Sequence, residues 1–468
     1  MAPLLTALAR PSAGSLARAW LLGLLTGGVY FAGTLYWVVN VMAEHGGLAV
    51  WVAVLINIGL VALMALFPAV FAVVVRRLCV AGGSRALAAA PLVWTTTELG
   101  RTYLFSGFPW VLLGYSQTDV LPIAQLASVF GVYGVSALVV SVSAALAASG
   151  LAIVAPAEGR SDVGRMRIRP VAVAIGLVLS VAVWGSLRVT ESALTSSGAP
   201  VRVGLVQGNV AQGEKWDPTR ATAIFESYLG LTRRAIREGA ELVIWPESST
   251  PFSFEEDRTA AEAVRQLARD GRVDILFGSN QVERASPNRY FNAAFLLGPD
   301  GEEKGVYRKM HLVPFGEYVP LKSLLSFAEP LVEAVSDFSP GTEATLLPTL
   351  GGPASTAICY EIVFPNLVRQ SVAEGSQLLT AITNARGSVA RWPRTSTSPR
   401  PPCARSRTAV ISCARPTPAS AASSTRTGAC WHEVTSLRQR WSSATCGSCA
   451  RRRCTRGSGM RSRTRPWR

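Results

Sequence analysis

Apolar residues dominate the first 190 positions of the chain, in five stretches that each approach or exceed the length of a membrane-spanning helix. A helix needs about 20 residues to cross the hydrocarbon core of a bilayer. Residues 1–190 are therefore predicted to form a multi-span α-helical membrane domain with about five spans. The five stretches are Trp20–Val41, Trp51–Val75, Ala86–Phe105, Leu121–Ile153 and Val171–Leu187.

The third stretch is unusual because it carries Glu98 and Arg101. Charged side chains are costly at membrane depth, so they either pair inside the bundle, lie at its outer end or mark a functional surface. The sequence leaves structural pairing and function equally open. No cleavable signal peptide is predicted, because the first apolar run is too long and no small-residue cleavage site follows it.

From residue 200 to 384 the pattern changes to short β-rich runs that alternate with amphipathic helices, which is typical of a layered α/β domain. Pro299-Asp300-Gly301 predicts a hairpin turn. The predicted strands are Val201–Gln207, Leu242–Trp245, Val273–Phe277, Phe291–Leu297, Ala354–Cys359 and Leu378–Thr383. The predicted helices lie near Arg220–Glu238, Glu256–Asp270 and Pro365–Glu374.

Residues 385–468 form a tail with no hydrophobic periodicity, and this tail holds the positive charge of the chain. It contains 18 Arg, no Lys and one acid, Glu433, a net charge of +17, whereas the whole chain carries +16. The first 384 residues are thus near neutral, and nucleic acid is not indicated as a partner. The mean hydropathy of +0.28 agrees with a membrane protein. Six of the eight cysteines also lie in the tail, so no disulfide framework is predicted for the body.

Positive charge between the spans predicts their orientation. Cytoplasmic segments carry an excess of arginine and lysine. After five spans from a cytoplasmic start, the domain that follows Leu187 would lie outside the cytoplasm. The arginines are Arg10 and Arg18 before the first span, Arg76, Arg77 and Arg85 after the second, and Arg160, Arg165, Arg167 and Arg169 before the fifth.

Three residues of the α/β domain could perform thiol-based acyl transfer: Glu247, Lys309 and Cys359. A nearby ammonium favours the thiolate and can stabilise an oxyanion, while a carboxylate can take the proton of the thiol. Each residue also has a plain structural interpretation, as a helix cap, a surface lysine and a buried small side chain. His311 is expected to pack or to donate a hydrogen bond, and no metal site or cofactor is indicated.

The motifs around these residues resemble the nitrilase (carbon-nitrogen hydrolase) superfamily, and within it the membrane-bound apolipoprotein N-acyltransferases. The resemblance covers roughly Trp20 to Asn384. It implies an αββα sandwich and a catalytic set of glutamate, lysine and cysteine. The motifs are Leu104–Trp110 with Gly114–Gln117, Val206–Val210 with Lys215-Trp216, Trp245–Glu247, Lys309–Pro320 and Ile358–Glu361.

The resemblance implies that Cys359 takes an acyl chain from a membrane phospholipid as a thioester. The chain then passes to the α-amino group of the diacylglyceryl cysteine of an apolipoprotein, at the cell membrane and on its extracytoplasmic side. Glu247 would be the general base and Lys309 the oxyanion partner. A monomer is expected. The alternatives are a membrane-tethered nitrilase-like amidase or hydrolase, and an inactive product. The resemblance gives supporting or substrate-binding roles to Trp216, Glu317, Tyr360 and Glu361.

The chain departs from the family pattern at both of its ends. The family usually has further spans before Trp20, which leaves open a start upstream of Met1. After Asn384 we expect an aberrant, disordered tail and a sandwich that is incomplete at its C-terminal end. Restoring one base at Asn384-Ala385 gives the family-like sequence TNDAWFG, and two later segments become family-like in the same frame, so a frameshift is the leading hypothesis. A genuine disordered basic tail is the rival. A third interpretation is a redox or zinc site at Cys446 and Cys449 with Cys454.

Overall fold

The computed structural model describes residues 1–10, 14–44, 47–104, 107–154, 163–191, 198–210, 215, 217–314, 316–318, 338–383, 409–413 and 431–433. Trp216, one of the expected substrate-binding residues, lies outside this set. Within it, an N-terminal group of helices precedes a sandwich of two β-sheets. This order agrees with the predicted membrane domain followed by an α/β domain.

Eight α-helices make up the helical half among the described residues. Four stretches are long and apolar enough to cross a membrane: Leu16–Leu35, Val50–Tyr103, Ala127–Ile153 and Ile168–Glu191. The helices are α1 (Ala2–Ala9), α2 (Leu16–Leu35), α3 (Trp37–Glu44), α4 (Val50–Gly82), α5 (Ala90–Tyr103), α6 (Leu121–Ala124), α7 (Ala127–Val154) and α8 (Val163–Glu191).

The observed helices differ from the predicted spans because two of the predicted spans contain breaks in the helix. The second and third predicted spans fall in one stretch, in which a 3-10 segment, Gly83–Ala89, separates α4 from α5. The fourth predicted span is divided into α6 and α7, and α7 contains the non-helical Gly131. Gly83 and Gly131 have φ angles of 60° and 65°, which glycine adopts without steric cost. Hydropathy alone does not predict such breaks.

Small residues allow α2 and α4 to approach closely. A Cβ atom at Gly23 would lie 2.5 Å from the carbonyl oxygen of Pro68, and one at Gly27 would lie 2.9 Å from Cα of Ala65. Close backbone approach at small residues is a common basis of helix association in membranes. The pairing of α2 with α4 therefore depends on these two glycines.

The sandwich consists of a six-stranded and a four-stranded sheet. The body strands are β1 (Arg202–Leu205), β2 (Leu242–Ile244), β3 (Asp274–Glu283), β4 (Arg289–Leu297), β5 (Glu303–Arg308), β6 (Leu347–Thr349), β7 (Gly352–Ile358) and β8 (Leu378–Ile382). The tail contributes β9 (Ala409–Cys413) and β10 (Trp431–Glu433), and the helices are α9 (Pro218–Arg237), α10 (Arg258–Gly271) and α11 (Pro365–Ala373). The strand order is β10-β1-β2-β3-β4-β5 in the larger sheet and β6-β7-β8-β9 in the smaller one.

All six predicted strands and all three predicted helices are confirmed. Two body strands, β5 and β6, were not among the predicted strands, although the predicted turn at Pro299-Asp300-Gly301 leads into β5.

Alternating residues of the strands build two apolar layers, as the two-residue period of a strand requires. On β2, Leu242 and Ile244 face the core between the two sheets, where they meet Ile358 of β7. Val243 and Trp245 face the opposite way, into the layer formed with α9 and α10. The arrangement is the nitrilase-like αββα sandwich, with α11 packed at the end of β7.

Two strands of the tail lie at sheet edges. β9 pairs antiparallel with β8, from Ile382 opposite Ala409 to Leu378 opposite Cys413. β10 pairs antiparallel with β1. These eight residues are in strands, and the remainder of 385–468, including Cys446, Cys449 and Cys454, lies outside the described residues. The expected disorder and the frameshift stay predictions for that remainder.

Candidate active site

Three predicted catalytic residues follow the ends of three strands, and the structure brings them together. Glu247 comes three residues after β2, Lys309 directly after β5 and Cys359 directly after β7. The Nζ atom of Lys309 lies 3.5 Å from Oε1 of Glu247 and 2.8 Å from Oε1 of Glu317. The supporting carboxylate Glu317 therefore belongs to the same cluster.

Lys309 is the charged centre of this cluster. Its side chain is 1% exposed. Burial acts to lower the pKa of the ammonium group, but the carboxylates of Glu247 and Glu317 act in the other direction, and the pKa lies above its ordinary value. Lys309 thus remains a cation at any physiological pH and can stabilise negative charge on a neighbouring atom.

Cys359 stands at a sharp turn between β7 and a 3-10 segment, Cys359–Val363. Its φ angle of 54° is in the left-handed region, which is rare for residues other than glycine and is often found at functional sites. Burial, together with the Glu247 carboxylate, raises the pKa of the thiol to about 12, although Lys309 and a hydrogen bond with Thr383 act to lower it. The resting residue is a neutral thiol, so an attack on an ester requires a base to accept its proton.

Glu361 holds the nucleophile turn against the strand that carries Lys309. The carboxylate is fully buried. Its Oε1 atom accepts hydrogen bonds from the Tyr307 hydroxyl at 2.8 Å and from the backbone N–H groups of Met310 and His311 at 2.7 and 3.1 Å. Its Oε2 atom accepts from the N–H of Ile358 at 2.8 Å. Glu361 therefore joins the segments on either side of the site.

Asn292 is a site residue that the sequence reasoning missed. Its Nδ2 atom donates to Oε1 of Glu247 at 2.9 Å and to Oε1 of Glu317 at 2.8 Å. The signal was available, because Asn292 is the one polar residue in the apolar run from Phe291 to Leu297. It orients both carboxylates toward Lys309.

Lys215 is the second residue that was missed. Its side chain is buried, and its Nζ atom donates to the backbone oxygen of Glu247 at 3.0 Å. Burial lowers the pKa of Lys215 to about 8, although Glu247 and Cys359 act to raise it. The Lys215-Trp216 pair appeared in the resemblance, but no role had been assigned to the lysine.

Gly278 on β3 allows the Glu247 turn to approach the sheet. A Cβ atom at this position would lie 2.6 Å from the backbone nitrogen of Ser248 and 2.7 Å from Cα of Glu247. Ser248 itself has a φ angle of 44°. The placement of Glu247 therefore depends on a glycine of the neighbouring strand.

The loop from Gly107 to Gln117, which we call the platform loop, connects the helical half to the nucleophile turn. The ring of Trp110 stacks on that of Tyr360 at 5.5 Å between centroids with a 17° interplanar angle. Phe108 and Phe364 also pack in this aromatic cluster. Since Tyr360 directly follows Cys359, the nucleophile adjoins the membrane domain.

His311 packs in the same region, with its ring 4.2 Å from that of Phe364. Burial lowers the pKa of its imidazole. This contact agrees with the packing role expected for His311.

Glu98 and Arg101, which we call the α5 cluster, are 2% and 3% exposed. Oε1 of Glu98 accepts a hydrogen bond from the N–H of Leu113 in the platform loop at 2.8 Å. The Arg101 guanidinium lies over the ring of Phe31 at 5.1 Å. Within the described part of the chain, Oε2 of Glu98 and Nη1 of Arg101 have no hydrogen-bond partner. The cluster supports the loop and does not join the residues around Cys359.

Each half of the chain matches the profile of a known protein family. Residues 1–145 match the profile of the apolipoprotein N-acyltransferase N-terminal domain, and residues 202–407 match that of carbon-nitrogen hydrolases. Among solved structures, an amidase from Nesterenkonia sp. AN1 is 24% identical, with 39% of this chain and 66% of that chain covered and a TM-score of 0.31.

Three curated relatives, each an apolipoprotein N-acyltransferase, align with most of the chain. The Geobacter metallireducens protein is 39% identical over 390 residues, which cover 82% of this chain and 72% of that protein. The Methylococcus capsulatus protein is 36% identical, with 79% and 70% covered. The Brucella melitensis protein is 32% identical, with 81% and 71% covered.

A carbon-nitrogen hydrolase domain that follows apolar helices of membrane-spanning length defines a membrane enzyme of the nitrilase class. Within that class, the chain belongs to the apolipoprotein N-acyltransferase family.

Proposed function

We propose that this protein transfers an acyl chain from a membrane phospholipid, through a thioester on Cys359, to the α-amino group of the diacylglyceryl cysteine of an apolipoprotein. One observation carries the choice of a lipid substrate. The residue after the nucleophile, Tyr360, stacks on Trp110 of the helical half. A nucleophile at this junction can meet an acyl chain that comes from the bilayer.

The first half of the reaction uses Glu247, Lys309 and Cys359. The thiol proton passes to the Glu247 carboxylate as the sulfur attacks the ester carbonyl carbon, and the Lys309 ammonium stabilises the oxyanion. The C–O bond then breaks, and Glu247 returns the proton to the departing oxygen of the lysophospholipid. The product is an acyl thioester on Cys359.

The second half reverses these roles. The neutral amine of the acceptor attacks the thioester carbonyl and loses a proton to Glu247. The C–S bond breaks, and the thiolate recovers the proton from Glu247. The acceptor leaves as an amide, so that protons balance over the cycle and the enzyme returns to its resting state.

We infer that the sandwich lies on the extracytoplasmic side of the cell membrane, as a monomer. Arg76 donates to the backbone oxygens of Leu8 and Arg10 at 3.0 and 2.9 Å, so these arginine-bearing segments meet at one end of the bundle. From Arg85 the chain continues into α5, whose 14 residues extend about 21 Å. At the far end of α5, Tyr103 is hydrogen-bonded to Asn366 of the sandwich. The arginines and the sandwich therefore belong to opposite ends of the helices, which supports this orientation.

A detergent-purified chain supplied with phospholipid that carries a radiolabelled acyl group tests the function. We expect a hydroxylamine-sensitive label on the Cys359 peptide, absent in Cys359→Ala and retained in Cys79→Ala. A diacylglyceryl-cysteine peptide should then convert the label to a hydroxylamine-resistant amide. Label released only as free fatty acid would instead identify a hydrolase, and label retained in Cys359→Ala would contradict the proposal.

We also propose that the tail after Asn384 results from a one-base frameshift, so that this chain transfers less acyl chain than its frame-restored counterpart. Two edge strands, β9 and β10, are all that the structure describes of the tail. Sequencing the gene across the Asn384 codon tests the origin of the tail, and an intact frame would refute it. Both chains should be assayed in parallel, and equal transfer would contradict the expected loss.

A further inference from the structure

The carboxylates beside Cys359 outnumber the cation that contacts them. Glu247 and Glu317 each accept from the same two donors, the Nζ atom of Lys309 and the Nδ2 atom of Asn292. Asn292 carries no charge, so Lys309 faces two carboxylates alone in this contact set. Taken over these four described side chains, one ammonium and two carboxylates give a net negative charge, which opposes formation of a further anion on Cys359.

A second ammonium lies on the other side of Glu247. The Nζ atom of Lys215 contacts the backbone oxygen of Glu247 at 3.0 Å, and its side chain is buried. Lys215 interacts electrostatically with both the Glu247 carboxylate and the Cys359 sulfur. It therefore lies within the field of the nucleophile.

We propose that Lys215 is a positioning residue that supplies the second positive charge of the nucleophile site and thereby favours the Cys359 thiolate. The proposal rests on the acyl-transfer function proposed above. Its electrostatic basis is a count of the facing charges: with Lys215 and Lys309 protonated, they neutralise Glu247 and Glu317. Transfer of the thiol proton from Cys359 to Glu247 then occurs without a change in that balance.

Because Lys215 can lose its proton, its effect on the Cys359 thiolate should depend on pH. Burial lowers the pKa of the Lys215 ammonium to about 8. The charge is thus present at pH 7 and is lost as the pH rises through about 8. The facing groups Glu247, Glu317, Lys309 and Cys359 are those named above, and Lys309 keeps its proton throughout because its pKa is raised.

The alkylation rate of Cys359 by iodoacetamide, followed by peptide mass mapping, tests the proposal without an acyl substrate. Lys215→Gln removes the charge but keeps an N–H donor for the Glu247 oxygen, whereas Lys215→Arg keeps the charge at every pH. At pH 7 we expect Lys215→Gln to react about tenfold more slowly than the unchanged chain, equivalent to one pKa unit. Lys215→Arg should retain most of the rate.

The pH profile separates charge from structure. The rate ratio between the unchanged chain and Lys215→Gln should fall toward one above about pH 8, as Lys215 loses its proton, while the ratio between Lys215→Arg and Lys215→Gln should persist. Arg284→Met, which removes an exposed cation paired with Glu256, is the control for charge loss elsewhere in the domain.

Equal alkylation of Lys215→Gln and the unchanged chain at pH 7 would overturn the proposal, as would a ratio that does not change with pH. A slow Lys215→Arg variant would likewise show a role in packing and not in charge. Should Lys215→Gln fail to fold, a Lys215→Arg profile that lacks the change near pH 8 supports the proposal, and one that matches the unchanged chain refutes it. Since no acyl group is transferred, failure of this test and failure of the proposed function give different results.

Discussion

The sandwich and the helical half each bury a cluster of charges, and the two clusters satisfy their charges differently. In the sandwich, Lys309 contacts Glu317 at 2.8 Å and Glu247 at 3.5 Å, and Asn292 donates to both carboxylates. In the α5 cluster, Glu98 makes one hydrogen bond to Leu113, and one atom each of Glu98 and Arg101 has no partner in the described part of the chain.

The difference shows what each cluster does. A buried charge is costly unless it is paired and hydrogen-bonded, so the sandwich cluster can keep ionised groups in place for proton transfer. Among the residues that the structure describes, the side-chain hydrogen bond of the α5 cluster comes from the platform loop that carries Trp110, and Arg101 lies over the ring of Phe31. We therefore interpret the sandwich cluster as chemical and the α5 cluster as structural support.

Lys309→Met should give the largest effect. It leaves two carboxylates without their shared ammonium, and breaking a buried ion pair in this way costs about 3–5 kcal/mol of unfolding free energy. Chemical unfolding of the purified variant in detergent measures the loss, and the Cys359 thioester should be absent. The control Arg284→Met removes a side chain that is 79% exposed and should change stability little. If the free energy of unfolding of Lys309→Met were unchanged, the charges of the sandwich cluster would not be more tightly paired than those of the α5 cluster.

Glu98→Leu should have an intermediate effect, which is confined to the reaction of Cys359 with phospholipid. The N–H of Leu113 would lose its acceptor, which costs about 1–3 kcal/mol when the group is buried. We expect acylation of Cys359 by phospholipid to slow about tenfold, which corresponds to roughly 1.4 kcal/mol. Alkylation of Cys359 by iodoacetamide should keep its rate.

Glu98→Gln is the matched variant for this prediction, since its side-chain oxygen can still accept from Leu113. It should retain most of the phospholipid reaction. If Glu98→Leu slowed the alkylation of Cys359 by iodoacetamide as much as its acylation by phospholipid, the α5 cluster would act on the chemistry of Cys359. That result would contradict its supporting role.

The combined change Glu98→Gln with Arg101→Met should have the smallest effect. It replaces both charges with uncharged groups of similar volume, and such joint replacements are often neutral or stabilising. We expect unfolding free energy to change by less than about 1 kcal/mol, measured by chemical unfolding in detergent. A loss as large as that of Lys309→Met would mean that the α5 charges form a tightly coupled pair.

The site could be predicted in part because strand ends are visible in the sequence. Glu247 and Cys359 each follow a short apolar run, and turns after strands are where side chains from different strands converge. Lys309 follows the largely polar residues of β5, so only its chemistry and its motif pointed to it. Asn292 and Lys215 were missed for a different reason. Asn292 lies inside a strand and Lys215 precedes a helix. Only the packing of β4 and of the Glu247 turn shows that both contact Glu247, Asn292 at its carboxylate and Lys215 at its backbone oxygen.

The helical half shows the same division. Hydropathy identified the apolar stretches, but the breaks at Gly83 and Gly131 depend on backbone conformations that composition does not reveal. The roles of Glu98 and Arg101 were also open, because the sequence shows that two charges are present and not which atoms they meet.

By itself, the sequence determined the order of a membrane part and an α/β domain and the alternation that builds two apolar layers, and it predicted which residues act as base, cation and nucleophile. These follow from local patterns of two and 3.6 residues and from the chemistry of single side chains. The tertiary structure alone decided that Lys309 is shared by Glu247 and Glu317, that Glu361 ties the nucleophile turn to β5, and that Trp110 meets Tyr360. Apart from Lys309 and Glu317, which are eight residues apart, these contacts join residues far apart in the chain, and their proximity is set by how sheets and helices pack.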